Sequence, residues 1–330
     1  MVHVAYFVHG RGRGHASRAS TVVPALRAAG HRVSLFAGGT AFEVLSARQV
    51  VRRVDSVLPG AGAPLRLLAR IPADRRELRR LGAEVVVSDG DAPSLHAATT
   101  LGLHTIAVSH GLVFTDTRLP PGLDPRALAI ERANVEIASA GARVRIAVHF
   151  LPAEPISARS RVARPDRRPD LPATVGDDGF VLAYFRDANG WAAASLVARH
   201  RPVVVFGTPP PGPLPTGVKV LPHSSTSFAE HLTRCHAVVG SSGSNLLAEA
   251  VELGKPVLAT YRQDDREQSF NAQLIEKAGL GQSTPLDAID ATTVDSFLVR
   301  SGRGEFRTLD LSACLSAVSE VVVDAVSSPK

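Results

Sequence analysis

Apolar and polar positions alternate in blocks along this chain. Residues 2–8 form a continuous apolar run, a glycine-rich turn follows, and residues 17–29 repeat apolar positions at helical spacing until Gly30. Residues 32–36 read as the next strand, and 84–88, 104–109 and 144–150 as later ones. Short apolar runs bounded by turn residues and separated by amphipathic stretches predict strand–helix–strand units, which pack as parallel sheets with helices on both faces. The pattern breaks over residues 152–172, which hold five prolines and five arginines without periodicity, so 152–176 reads as a linker. It then restarts, with strands at 180–185, 202–207, 218–221, 237–240 and 257–261 and a helix at 191–199. The expected fold class is therefore α/β, with two Rossmann-like parallel-sheet domains, 1–151 and 177–330. The 330 residues exceed what one hydrophobic core usually organises. In such sheets ligands bind beyond the carboxyl ends of the strands.

Composition adds limits. Hydrophobic residues make up 45% and charged residues 21%, as in soluble globular proteins, and no apolar run approaches the roughly 18 residues that span a bilayer. The opening run lacks a basic region and a cleavage site, which predicts no signal peptide and a cytoplasmic enzyme. Cys235 and Cys314 are too few for a disulfide framework and have no metal-type spacing. The net charge of +6 is carried almost wholly by arginine. No nucleic-acid-binding signature accompanies it, so a compositional bias is expected rather than a nucleic-acid partner. Residues 65–82 mix leucines with six arginines; a solvated helix face is expected there, with peripheral contact to an anionic membrane as the alternative.

The first glycine turn, VHGRGRGHASRA, directly follows the first strand. Gly10, Gly12 and Gly14 permit tight turning and close approach of a ligand. The spacing G-x-G-x-G-H misplaces the third glycine of a dinucleotide fingerprint, and the second strand ends Phe36-Ala37-Gly38 without an acidic residue for a ribose. A nicotinamide cofactor is thus not expected. His15, at the start of the following helix, has the chemistry of a general base for an attacking hydroxyl.

The most informative stretch is 240–281. A strand enters the turn Gly240-Ser241-Ser242-Gly243-Ser244 and then a helix starting near Asn245. Backbone N–H groups at such a turn hold a diphosphate, helped by the helix dipole. Glu249 lies one turn further; phosphate repels a carboxylate, so it should face a neutral ribose diol. The turn is not a G-x-S-x-G nucleophile elbow, since its fifth residue is Ser. After the next strand comes the polar loop Asp264-Asp265-Arg266-Glu267-Gln268, then Asn271.

Together these residues resemble the donor-binding region of GT-B glycosyltransferases, in particular the MurG-like family of C-terminal domains. The resemblance is carried by Ser242-Gly243, Glu249, Gly254-Lys255-Pro256, Asp265, Gln268, Asn271-Ala272 and Glu276-Lys277-Ala278-Gly279, and by the glycine loop ending in His15. It implies a GT-B fold, with an acceptor-binding first domain and a nucleotide-sugar-binding second domain. It implies Ser242, Gly243 and Ser244 at the diphosphate, with Asn245 and Gly14 also binding the donor. It further implies Glu249 on the ribose, Glu267 and Gln268 on the donor sugar, and Asp265 among the donor-binding residues. His223 falls where such enzymes hold the base. Gly12, Arg13 and His110 are expected to line the acceptor side, and Asp116 to polarise His15. The turn Arg186-Asp187-Ala188-Asn189-Gly190 departs from the family's glycine- and serine-rich pattern, leaving Arg186 or Asn189 to serve there.

Asp89-Gly90-Asp91 is a D-x-D pair, but it ends a strand of the other half; helix capping or acceptor contact is expected of it rather than metal binding. The expected function is an inverting, metal-independent glycosyltransferase without a cofactor. It would use a UDP or TDP sugar and a small-molecule or lipid-linked acceptor. The alternatives are a nucleotide-sugar hydrolase of the same fold, for which the acceptor is water, and a non-catalytic sugar-nucleotide-binding partner protein.

Overall fold

In the computed structural model, the described residues are 1–11, 14–57, 62–168, 170–172, 174–186, 190–210, 212–222 and 225–328. Their strands form two sheets, parallel throughout. The first contains β1 (His3–Val8), β2 (Arg32–Ala37), β3 (Arg52–Arg53), β4 (Val85–Asp89), β5 (His104–Ser109), β6 (Val144–Val148) and β7 (Ser160–Ala163), in the order β3-β2-β1-β4-β5-β6-β7. The second contains β8 (Val181–Tyr184), β9 (Val203–Phe206), β10 (Val218–Leu221), β11 (Ala237–Ser241), β12 (Val257–Tyr261) and β13 (Gly281–Pro285), in the order β10-β9-β8-β11-β12-β13.

Among the described residues, six helices precede the second sheet: α1 (Gly14–Ala28), α2 (Gly39–Ser46), α3 (Ala63–Leu81), α4 (Ala92–Thr100), α5 (Leu112–Asp116) and α6 (Pro125–Ser139). With the second sheet come α7 (Trp191–Ala198), α8 (Ser225–Arg234), α9 (Ser244–Glu252), α10 (Arg266–Lys277), α11 (Ala291–Gly302) and α12 (Leu311–Cys314), and α13 (Val318–Ser327) ends the chain. Their starts follow local chemistry. Asp91, Asp265 and Asp290 each accept a bond from the backbone N–H three residues on, capping α4, α10 and α11.

The central strands are apolar throughout because helices cover both faces. On one face of the first sheet Val4, Tyr6 and Val8 pack with Val23 and Leu26 of α1 and Val322 and Val326 of α13. On the other, Ala5 and Phe7 meet Leu78 of α3 and Ala97 of α4. In the second sheet Ala183, Val239 and Leu258 pack with Val197 of α7 and Phe297 of α11.

Two compact units result. Met1–Leu119, Arg126–Asp166 and Cys314–Lys330 form the first, and Pro120–Pro125 with Arg167–Ala313 the second. This differs from a linear division at two places. Residues 314–330 read as the tail of the second domain, but Val318, Val322, Ala325 and Val326 make an apolar stripe that buries in the first core. Residues 152–176 read as irregular, yet Ser160–Ala163 pair with β6 as an edge strand, with Ser160 and Ala163 buried. Four residues are too few to show periodicity in a stretch dominated by Pro and Arg.

In each sheet the strand order reverses once. The reversal sets β1 beside β4, with Val8 opposite Asp89, and β8 beside β11, with Tyr184 opposite Gly240. These are the switch points at which doubly wound sheets bind ligands.

Candidate active site

At the first switch point the chain leaves β1 through His9 and Gly10. Gly10 N–H donates to Ser56 Oγ at 2.9 Å, and Gly10 O accepts from Thr40 N at 3.1 Å. A Cβ on Gly10 would lie 2.3 Å from Ser56 Oγ and 2.7 Å from the Gly38 backbone. Gly10 and Gly38 are therefore glycines because two loops touch there, which explains why β2 ends without an acidic residue. His9 pins the same turn: its Nδ1 accepts from Arg11 N at 3.1 Å and its Nε2 lies 3.2 Å from Val57 O.

His15 opens α1, and its Nδ1 lies 2.6 Å from Asp89 Oδ1 at the end of β4. A carboxylate only accepts, so in the neutral ring Nδ1 carries the proton and Nε2 keeps its lone pair. Asp89 is fully buried and fully satisfied. Arg18, one turn beyond His15, donates Nη2 to Oδ1 at 2.7 Å and Nε to Oδ2 at 2.8 Å, and Tyr6 donates its hydroxyl to Oδ2 at 3.1 Å. Burial by itself would raise the Asp89 carboxyl, but the Arg18 charge and the bonds from His15 and Arg18 hold it at about 2. Gly90 seats the imidazole: its φ is +72°, and a Cβ there would lie 2.7 Å from His15 Cε1. Asp91 caps α4 and accepts both Arg70 Nη1 and Nη2, at 2.7 and 2.6 Å. The D-G-D sequence thus supplies, in order, a histidine partner, a ring seat and a helix cap. Each of its carboxylates is already neutralised by an arginine.

The other residues expected at this edge are placed differently. Asp116 does not meet His15; it accepts from Ser160 Oγ at 2.6 Å and Thr115 Oγ1 at 2.6 Å and pairs with Arg145 Nε at 3.2 Å. Asp89, not Asp116, is the acidic partner, because strand order sets β4 beside β1 while α5 follows β5. His110 is buried, with Nδ1 donating to Val148 O at 2.9 Å, inside a cluster with His149, Phe114 and Phe150. Gly14 is the first residue of α1. Gly12 and Arg13 lie outside the described residues.

At the second switch point β11 turns into α9. Ser242 is buried, and both its donors are spent on β12: N–H and Oγ bond Thr260 O at 3.0 and 2.6 Å. Its hydroxyl and N–H are therefore not offered to a diphosphate, contrary to expectation. Gly243 caps α9 with no side-chain cap bond, and a Cβ at Gly243 would meet nothing within 4 Å among the described residues. Among the described residues no side chain therefore caps the first turn, Ser244 and Asn245, and none crowds Gly243 before it. Helix dipole and N–H groups there suit an anion.

Glu249 stands half-buried on α9, with Arg168 Nη1 3.4 Å from its Oε1. Burial pushes its carboxyl up to about 7, against the opposing charge of Arg168. On α10 Asp265, Gln268 and Asn271 form one stripe. Asp265 accepts from Gln268 N at 3.2 Å and Nε2 at 2.8 Å, and Asn271 Nδ2 donates to Ser242 O at 3.0 Å. Glu267, beside them, is exposed. Arg186, after β8, donates its backbone N–H to Ser241 Oγ at 3.0 Å and Nη1 to Asp265 Oδ2 at 3.3 Å. The structure so gathers Gly243, Ser244, Asn245, Asp265, Gln268 and Arg186 at one sheet edge. His223 and Asn189 lie outside the described residues. Asp89 as the partner of His15, Gly90 as the seat of its ring, and Arg18 and Arg168 in the site are assignments that sequence reasoning did not make. The signals for three of them were present: D-G-D after a buried strand, and an arginine three residues beyond His15, on the same helix face.

Two parallel-sheet units, each with polar side chains gathered where its strand order reverses, match the GT-B glycosyltransferases. The chain belongs to glycosyl transferase family 1, whose model matches residues 68–301. An uncharacterized glycosyltransferase of Methanosarcina acetivorans is 23% identical over an alignment 335 residues long, covering 84% of this chain and 82% of the relative. Among solved structures, the MurG of Acinetobacter baumannii is similar with a TM-score of 0.70 at 17% identity, covering 99% of each chain. The glycosyltransferase VinC, solved with dTDP, matches with a TM-score of 0.66 at 14% identity over 98% of each.

Proposed function

We propose that this glycosyltransferase takes its sugar from a UDP- or TDP-linked donor held by the second unit. We further propose that it transfers the sugar with inversion to an acceptor held by the first. The observation that carries this reading is the His15–Asp89 pair: a histidine whose Nδ1 proton is fixed by a buried carboxylate presents Nε2 as a base. The acceptor hydroxyl gives its proton to Nε2 as its oxygen bonds the anomeric carbon. The bond from that carbon to the diphosphate breaks on the opposite face, and the nucleoside diphosphate leaves with the bonding pair. Asp89 stabilises the imidazolium that forms.

The first turn of α9 would hold the leaving diphosphate, and Glu249 would accept from the ribose hydroxyls. That VinC was solved with dTDP supports a pyrimidine nucleotide. Asp89 and Asp91 are each committed to an arginine, which supports diphosphate neutralisation by helix terminus and basic side chains without a metal. The acceptor is a small molecule or a lipid-linked one; exposed Leu65 and Leu68 on the arginine-rich α3 support peripheral membrane contact for the latter. No helix among the described residues is long and apolar enough to cross a membrane.

The test is His15→Ala. Turnover should fall by roughly 10²–10⁴, while the thermal stabilisation given by UDP or TDP stays at the wild-type value. Unchanged turnover would make His15 structural. Release of nucleoside diphosphate from wild-type protein without any added acceptor would assign water as the acceptor.

A further inference from the structure

We propose that Arg168, on the segment leading into the second sheet, is a positioning residue for donor recognition that keeps the Glu249 carboxylate ionised and turned toward the nucleoside hydroxyls. This rests on the reading of Glu249 as the ribose ligand.

The geometry is that of a clamp. Asp170 grips the Arg168 guanidinium with two bonds, Nε to Oδ1 at 3.0 Å and Nη2 to Oδ2 at 2.7 Å. That fork orients the remaining nitrogen, Nη1, toward Glu249 Oε1 at 3.4 Å. A single contact to one oxygen leaves Oε2 for a ligand, so the arginine orients the carboxylate without covering it. The surrounding charges make Arg168 necessary. Asp170 on the same segment and Glu252 on the same helix both disfavour a second negative charge at Glu249. Arg167 approaches Glu252, at 3.6 Å, rather than Glu249. Asn271 of α10, which bonds Ser242 O in the turn before α9, is uncharged.

Burial pushes the Glu249 carboxyl up to about 7, and Arg168 is the charge that opposes this. Without Arg168 the two neighbouring anions act unopposed, and the carboxyl holds its proton at neutral pH. A protonated carboxyl becomes a donor at one oxygen and loses the charge that strengthens its bonds from the hydroxyls.

The experiment titrates the full-length protein with UDP-glucose and TDP-glucose by calorimetry from pH 6 to pH 9. Their phosphodiester groups do not titrate in that range. Wild-type affinity should rise between pH 6 and pH 8 as Glu249 loses its proton. Arg168→Gln should bind about tenfold more weakly at pH 7 and recover to within about threefold of wild type at pH 9. Arg168→Lys, which keeps the charge, should stay near wild type. Glu249→Gln should be weak and independent of pH, and adding Arg168→Gln to it should cost nothing more. Arg168→Gln with wild-type or tighter affinity across the range would overturn the proposal, the tighter case meaning that Arg168 competes with the ribose. Weak binding that does not recover at pH 9 would overturn it too, by reducing Arg168 to a packing role. Wild-type affinity in Glu249→Gln would instead remove the ribose reading itself.

Discussion

Asp89 has no exposed surface, and all of its acceptor capacity is directed at His15, Arg18 and Tyr6. Its role follows from that saturation. The carboxylate cannot move, so the imidazole cannot change tautomer, and the ring is confined further by Gly90 beneath it. The motif was visible in the sequence as D-x-D, but its meaning was not. Which strand lies beside β1 is a long-range fact, and the separation of 74 residues between His15 and Asp89 is closed only by sheet order. Asp89→Asn should lower turnover by at least about 10², because an amide can donate to Nδ1 and so select the wrong tautomer. It should also destabilise the first unit by roughly 3–5 kcal/mol, since Arg18 keeps its buried charge without an anion. Calorimetric melting together with turnover checks both. The acid dependence should change as well. A carboxyl held at about 2, below the ordinary ~3.9, contributes stability that is present above pH ~4 and lost as pH falls toward 2. The variant should lack that loss.

At the scale of elements, α10 shows how a motif can mark a ligand site while its side chains serve the scaffold. Asp265, Gln268 and Asn271 recur at helical spacing, so one face of the helix carries all three. Asp265 caps the helix and holds Gln268, and Asn271 reaches the carbonyl of Ser242 in the turn before α9. Ser242 in turn spends its hydroxyl on β12. The N-terminus of α9 is thus aimed by bonds to β12 and α10, and the diphosphate is expected where those bonds leave N–H groups unoccupied. The spacing in the sequence was sufficient to find this region; it could not separate ligand contacts from supports, because both need polar residues at the same turn. Asn271→Ala leaves a buried carbonyl without its partner and should cost about 1–3 kcal/mol. The second unit should melt earlier, and UDP or TDP should stabilise the variant less than wild type. Equal nucleotide stabilisation in both proteins would show that the aim of α9 does not depend on this bond.

For the whole molecule, chain order and spatial order part company at the C-terminus. The stripe of Val318, Val322, Ala325 and Val326 belongs to the core under β1, although 147 residues of the second unit, Arg167–Ala313, come before it. Removing residues 314–330 would uncover α1 and the first sheet, and each fully buried side chain of this kind is worth about 1.5–3 kcal/mol. The truncated protein should lose the cooperative melting of the first unit and all transferase activity. The transition of the second unit should remain and still shift upward with UDP or TDP. Retained activity would contradict the assignment of α13 to the first core. The sequence by itself determined what depends on neighbours in the chain: two runs of alternating strands and helices, the glycine turn with His15, and the Gly243–Asn271 stretch. These are legible because turn chemistry, capping and hydrophobic period act over a few residues. Tertiary structure alone decided that Asp89 rather than Asp116 meets His15, that Ser242 is a support, that Arg168 faces Glu249 and that the last helix returns to the first sheet. Each of these is set by which buried surfaces meet, and packing is blind to distance along the chain.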